Sequence, residues 1–533
     1  MFICASKIEF FLFRQLFFWQ KTMLFIELVT FVQLFILLFM GIIARQGFWN
    51  TLSQYTGIGL AFINTIVLVP WVFSIHPESQ WGVVQYLLGI SMILTPLAHL
   101  GVPNAVIRFF PYFREQGKSE FFMLVATLVV IGFSLTTLGF LAYVYLFSAA
   151  APDEGLARNT LLFVIPMLAG HSMTVVFSSI SRAHFRSTIP VVVDQLLLRV
   201  VTMVLLILFG FEMIEFSTFL TVYVTTFLVG GVFMALYIRR FFSLKFTKLR
   251  FPSPKSVREV IAFVLFSFLS GEASIMFMKL DVIMIKGLLD LESVALYSVP
   301  FYVGSLIMAP LRAIVPISFP IVANFWKEKS IGKIKTFYAQ TARNQVIVSG
   351  FVFVLIWLNI DLLLYLLGDT FGSEQARWVF FFVGLAQLIN AASGNSDQII
   401  NASAHYKNLF VFKLLLLSIT IALNFVLIPR VGIPGAAMSV LVAMVCFSFL
   451  KFGFLYYKYG MQPYNVLFFK VLLVLVVPIA VNYYLVRYDN LYLLAGVRVA
   501  MLAGVFWFGI YRMGISPELK ELIRQLRGKI LRR

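Results

Sequence analysis

The stretch Ser270–Asp290, SGEASIMFMKLDVIMIKGLLD, is long and apolar enough to cross a bilayer, yet it holds Glu272, Lys279, Asp281 and Lys286. On insertion scales each charge at a bilayer centre costs about 2.5–3.5 kcal/mol. What surrounds this segment decides how it is read. In both directions apolar runs of about 20 residues recur almost end to end. Of the 533 residues 61% are hydrophobic and 12% charged, with 59 Phe, more apolar surface than one soluble core could bury. The chain is expected to be an all-α polytopic membrane protein. Its intramembrane charges should then face protein or a watery cavity and mark a substrate or ion path.

Counting outward gives fourteen expected transmembrane helices between residues 51 and 511, with the opening stretch in the seventh, 259–287. The formal net charge of +19 does not point to nucleic acid, because Lys and Arg sit in short clusters between spans. They alternate from loop to loop. One set includes Arg108 and Arg114, Arg182 and Arg186, Arg239 to Arg258, and Lys327 to Arg343; it continues with Lys407, with Lys451 and Lys458, and with the tail from Arg512. The intervening loops are short and acidic, with Glu78, Asp153, Glu154, Glu212, Glu215, Asp290, Glu292, Asp369 and Glu374. The positive-inside rule then places both termini in the cytoplasm. Cys4 and Cys446 lack the spacing of a disulfide, and no Cys/His cluster has metal-ligand spacing, so neither redox nor metal chemistry is expected.

Six domains follow from this pattern. Residues 1–39 fit the charge scheme poorly, since a span at 28–43 would place Lys7, Arg14 and Lys21 outside, and the working start is expected at Met40. The N-lobe is 40–238, the basic linker with two prolines 239–258, and the C-lobe 259–460, each lobe with six helices. Residues 461–513 give two extra spans and 514–533 a basic amphipathic tail suited to lipid contact or to docking partner enzymes. An offset of 214 places Glu78-Ser79 over Glu292-Ser293, Ser91 over Ser305 and Pro96-Leu97 over Pro310-Leu311. Spans one and seven run in the same direction, so the lobes are expected to be parallel repeats about a pseudo-two-fold axis along the membrane normal, with a cavity between them.

Glu272, Lys279 and Lys286 are seven apart, only about 20° short of two full turns, and so share one helix face. Asp281 lies about 180° from Glu272 and is expected to meet another helix. Lys286 is close enough to the surface to snorkel as an anchor. Arg199 falls near the middle of the fifth span with Asp194 nearer the cytoplasm, and Arg312 lies in the inner half of the eighth. Asp397 and Lys413, at the inner ends of the tenth and eleventh, are expected to form a structural ion pair. His99 and His171 read as packed or hydrogen-bonded helix residues rather than proton relays. Cations in a cavity suit a phosphate or diphosphate, with Arg as a fork and Lys as a point charge.

The run 279–328, KLDVIMIKGLLDLESVALYSVPFYVGSLIMAPLRAIVPISFPIVANFWKE, has an Asp in the seventh span, an acidic turn, a Tyr and a Pro-rich eighth span. The run 401–445, NASAHYKNLFVFKLLLLSITIALNFVLIPRVGIPGAAMSVLVAMV, places an Asn, a Pro and Gly-Ile-x-Gly-Ala-Ala before the twelfth. Together with MGIIARQGFWNTLSQYTG at 40–57, these resemble the polysaccharide flippases of the multidrug/oligosaccharidyl-lipid/polysaccharide exporter superfamily. The resemblance covers about Met40 to Gly460. It implies two six-helix lobes with alternating access, in a bacterial inner membrane. The substrate it implies is a polyprenyl-diphosphate-linked oligosaccharide carried from the cytoplasmic to the outer leaflet, and the partners for the basic tail are then glycan-assembly enzymes. Asp281 carries over by motif; Arg199, Lys279 and Arg312 as diphosphate ligands, and Glu272 as the carboxylate for proton or sodium coupling, rest on the charge argument. A peptidoglycan-precursor flippase and a cation-coupled drug antiporter share the fold and stay open as alternatives. A membrane-embedded polymerase or glycosyltransferase would need paired carboxylates or a nucleophile on a sizeable outer loop, which the chain lacks, and no enzymatic chemistry is expected.

Overall fold

The computed structural model describes residues 42–113, 118–147, 160–184, 186–241, 257–264, 273–484 and 490–512. The expected N-terminal extension, Glu272 and the basic tail lie outside them. Eleven helices among the described residues are long and apolar enough to cross a membrane, or twelve if a pair bent by 49° counts as one span. The first bundle holds α1 (Ile42–Phe62), α2 (Glu78–His99), α3 (Val102–Phe113), α4 (Lys118–Phe147), α5 (Val164–Ala183), α6 (Thr188–Gly210) and α7 (Phe216–Arg239). The second holds α8 (Ala273–Leu288), α9 (Leu291–Ser305), α10 (Ala309–Lys327), α11 (Ile331–Leu358), α12 (Ile360–Phe371), α13 (Glu374–Ala392), α14 (Ser396–Ala402), α15 (Lys407–Val431) and α16 (Ile433–Tyr459). Helices α17 (Val466–Tyr484) and α18 (Leu491–Arg512) follow. The fourteen expected spans are compatible with this set. The seventh is described only as 257–264 and α8, and α17 is a shorter apolar helix.

Small residues set the packing, because lipid removes the hydrophobic drive between helices and leaves close contact to hold them. Gly170 of α5 lies against the backbone of Phe227 and Leu228 of α7, and Gly231 of α7 lies against Gly170 in return. Helix ends follow local chemistry. Asp290 caps α9 by accepting the Ser293 N–H at 2.7 Å, and Ser373 caps α13 through the Ala376 N–H. After Pro96, α2 ends on Leu100 and Gly101, both at positive φ, and the chain turns into the amphipathic α3. Val102, Ala105, Val106 and Phe110 of α3 are buried, and Val260 and Val264 share their cluster, so 257–264 packs on the first bundle. Arg108 stands 4.4 Å over the Phe263 ring.

The bundles meet through α2 against α8 and α9 and through α12 against the end of the first span. These contacts run from the end that carries the acidic turns to the middle of the spans. A Cβ on Gly82 would collide with the Leu291 carbonyl, Trp81 Nε1 donates to Ser298 Oγ at 3.1 Å, and Tyr302 donates to the Ile58 carbonyl at 3.3 Å. Glu78 and Glu292, paired by the sequence repeat, occupy the first turns of α2 and α9, so the two crossing helices are equivalent elements of the two bundles. The eighth span is broken by a 3-10 turn at Leu306–Met308, just ahead of Pro310. The last two helices dock on the second bundle through Arg498, which donates to Asn482 at 2.8 Å and lies 3.7 Å from Asp361.

Candidate functional site

Helix α8 positions the buried charges. Asp281 is 1% exposed and accepts hydrogen bonds from Tyr297 of α9 and Asn424 of α15, each at 2.9 Å. Asn424 also reaches Met284 Sδ at 3.4 Å. One carboxylate thus joins three helices, and among the described residues its charge is met by donors rather than by a cation. The hydrogen bonds offset a desolvation cost of several kcal/mol per buried ion.

Lys279 lies nine residues from the acidic-turn end of α8, about 13 Å at 1.5 Å per residue, close to the middle of a hydrocarbon core of about 30 Å. It is half-buried and has no hydrogen-bond or ion-pair partner among the described residues. Its backbone faces Gly89 of α2, so it stands where the two bundles touch. Lys286, one heptad on, is half-buried.

In the first bundle, α1 and α6 both depart from α-helical geometry. Ile63–Leu68 and Val193–Leu197 are π-helical, a form that recurs at functional sites. Arg199 stands just beyond the second of these, half-buried, and its Nη1 donates to the carbonyl of Gln195 and to Gln195 Oε1 at 2.7 Å. Gly57 of α1 admits this guanidinium against the helix, and Asn64 Nδ2 donates to the Arg199 carbonyl at 2.8 Å. Asp194 is exposed. Among the described candidates, Lys279 lies at the seam and Arg199 inside a π-helical polar knot of the first bundle. Arg312 belongs to α10, but its side chain lies outside the described residues, as does Glu272.

The expected Asp397–Lys413 pair is corrected. Asp397 Oδ1 pairs with Lys451 Nζ at 2.7 Å, and Lys413 acts on the carboxylate only through its more distant charge. The charge pattern makes Lys451 a loop residue, but α16 runs on to Tyr459, and the ammonium is 1% exposed and 4.2 Å from the centre of the Phe447 ring. His99 accepts the Gly101 N–H at 3.3 Å, and His171 Nδ1 is 3.5 Å from Thr95 Oγ1. Gln195 and Asn64 were missed from the sequence, and Tyr297 and Asn424, which lie in the two runs that carry the resemblance, were given no role. The available signal was a carboxamide in an apolar run, which needs a partner in hydrocarbon as a charge does.

A family model for polysaccharide biosynthesis proteins matches residues 43–326, more than half of the chain. Among solved structures the chain is similar to lipid II flippase MurJ in an inward closed conformation, with 14% identity, a TM-score of 0.64, and 88% of this chain and 99% of that one covered. It is also similar to a multidrug resistance MATE family transporter of the MOP superfamily. The inward-facing form gives 14% identity and a TM-score of 0.57 over 75% of this chain and 94% of that one. The outward-facing form gives 15% and 0.53 over 79% and 97%. At these identities the likeness is one of fold. No curated protein matches by sequence. The family model thus shows that the chain belongs to the polysaccharide biosynthesis protein family, with a fold like that of lipid II flippase MurJ and the MATE transporter.

Proposed function

We propose that the protein is a flippase that carries a polyprenyl-diphosphate-linked oligosaccharide from the cytoplasmic to the outer leaflet of a bacterial inner membrane. The observation that carries the reading is Lys279, a mid-membrane ammonium at the seam of two bundles with no partner among the described residues. A cation at that depth is costly unless an anion visits it. The head-group diphosphate meets Lys279, with Arg199 and Arg312 as further cations on its route, while the lipid stays in the bilayer. The bundles touch at the acidic-turn end, which the charge pattern assigns to the outside, and the described state is therefore read as closed outward. Rocking of the bundles then exposes the head group on the other side. Coupling to a proton or sodium ion is assigned to two carboxylates of the seventh span, Glu272 and Asp281. No step makes or breaks a covalent bond.

Depletion in the native host, followed by mass spectrometry of polyprenyl-linked lipids, tests this. Accumulation of one completed lipid-linked oligosaccharide supports the flippase and identifies its cargo. The fold likeness to lipid II flippase MurJ, which covers more of this chain than the MATE transporter does, favours a peptidoglycan precursor as the second reading. Accumulation of that precursor alone would establish it instead. Unchanged lipids would shift the reading to drug export, and truncated glycans to an assembly enzyme.

A further inference from the structure

An apolar groove of about 620 Å³ runs between α2, α4 and α8, lined among others by Tyr86, Leu97, Leu135, Thr136, Gly139 and Ile283. It opens on the α4 face, where Leu135 and Leu138 are among the most exposed side chains, as expected for a surface bathed in hydrocarbon. A void of this size facing lipid is filled by a chain, since an empty one forfeits dispersion contacts along its whole wall. The question is which lipid. At about 100° per residue, Lys279 points about 60° from Val282, which meets Gly89 of α2, and about 40° from Ile283, which lines the groove. Lys279 itself is not in the groove lining but leaves the helix on the side that faces it, one turn deeper than Ile283 and about 13 Å from the end of its helix. A resident phospholipid keeps its phosphate at the interface and does not present it at that depth. A lipid whose head group is in transit does.

We infer that this groove is the seat of the isoprenoid chain of a polyprenyl diphosphate while its phosphates pass Lys279. The inference rests on the flippase reading and adds to it the side of the molecule on which the chain rides: against α4, on the flank where α2 meets α8. The gain in the groove is packing and tethering, because moving a chain from lipid to an apolar wall brings no hydrophobic free energy.

Gly139 offers the test, since a Cβ there meets nothing within 4 Å and a larger side chain would fill the groove without displacing protein. Gly453 of α16 is equally open and lies outside the groove lining, which makes Gly453→Leu the matched control. Native mass spectrometry of the purified full chain would compare a long-chain polyprenyl diphosphate, the corresponding polyprenol and phosphatidylglycerol, with melting temperature as the check on folding. Gly139→Leu is expected to weaken the polyprenyl diphosphate about ten-fold with phosphatidylglycerol unchanged. Gly453→Leu should bind as wild type, and Lys279→Gln should lower the diphosphate to the affinity of the polyprenol. Wild-type affinity in Gly139→Leu would overturn the groove and leave the flippase standing. An equal loss of phosphatidylglycerol would overturn it by making the groove a general acyl-chain site. A wild-type protein that ignores the polyprenyl diphosphate would overturn both.

Discussion

At the scale of single residues, Asp281 and Lys279 lie two positions apart on α8 and solve the same desolvation problem in opposite ways. Asp281 is satisfied within the protein by Tyr297 and Asn424. Removing one donor leaves a buried acceptor short of a bond, so Asn424→Leu is expected to destabilise the protein by about 1–3 kcal/mol, read as a lower melting temperature in detergent. Asp281→Asn should cost less than Asn424→Leu, because it removes the charge and keeps one acceptor. A larger loss from Asp281→Asn would mean that the carboxylate's charge is itself required. For Lys279 the expectation is reversed: Lys279→Ala leaves abundance and melting temperature near wild type and abolishes transport, seen as accumulated lipid-linked intermediate. Fully active Lys279→Ala would remove the diphosphate path. The charges of this site were legible in the sequence, because a charge in hydrocarbon stands out from its neighbours. Their partners were not. Tyr297 lies 16 residues and Asn424 143 residues from Asp281, and which helices touch is set by three-dimensional packing rather than by periodicity.

At the scale of elements, hydropathy placed most spans and misjudged where some of them end. Lys451 is the instructive case: a window that stops at the first charge after an apolar run ends the helix at 450, whereas the backbone continues to Tyr459 and buries the ammonium against Asp397. The π-helical segments and the 3-10 turn in the eighth span were likewise out of reach, because a shift of one hydrogen-bond step leaves little trace in apolar sequence. The Asp397–Lys451 pair ties α14 to α16 asymmetrically, with side chains 35% and 1% exposed. Water can take over the carboxylate but not the ammonium. Asp397→Asn should therefore cost about 3 kcal/mol or more, as expected for a buried charge left without its partner. Lys451→Met should cost about 1 kcal/mol or less, since the remaining carboxylate is partly solvated. Steady-state membrane abundance and detergent melting of the two variants check the order, and equal losses would show that the carboxylate is as dry as the ammonium.

At the scale of the whole molecule, transport by alternating access requires that the seam between the bundles open, and the packing identifies one place to hold it shut. A Cβ on Gly89 of α2 would stand 3.6 Å from the Val282 Cβ of α8, within the range that a disulfide spans. In a background with Cys4→Ser and Cys446→Ser, the pair Gly89→Cys and Val282→Cys is expected to cross-link under mild oxidant, which proteolysis between the bundles followed by gel electrophoresis would detect. If α2 and α8 separate when the second bundle rocks away from the first, the oxidised protein stops moving lipid-linked cargo in reconstituted vesicles and a reductant restores it. Each single-cysteine variant should keep its activity under both conditions, which separates locking from damage to the nearby Lys279. Transport that continues with the cross-link fully formed would show that α2 and α8 move as one body. The seam would then be the pivot of the motion, and the opening would have to be sought at the contact between α1 and α9, where Tyr302 meets the Ile58 carbonyl.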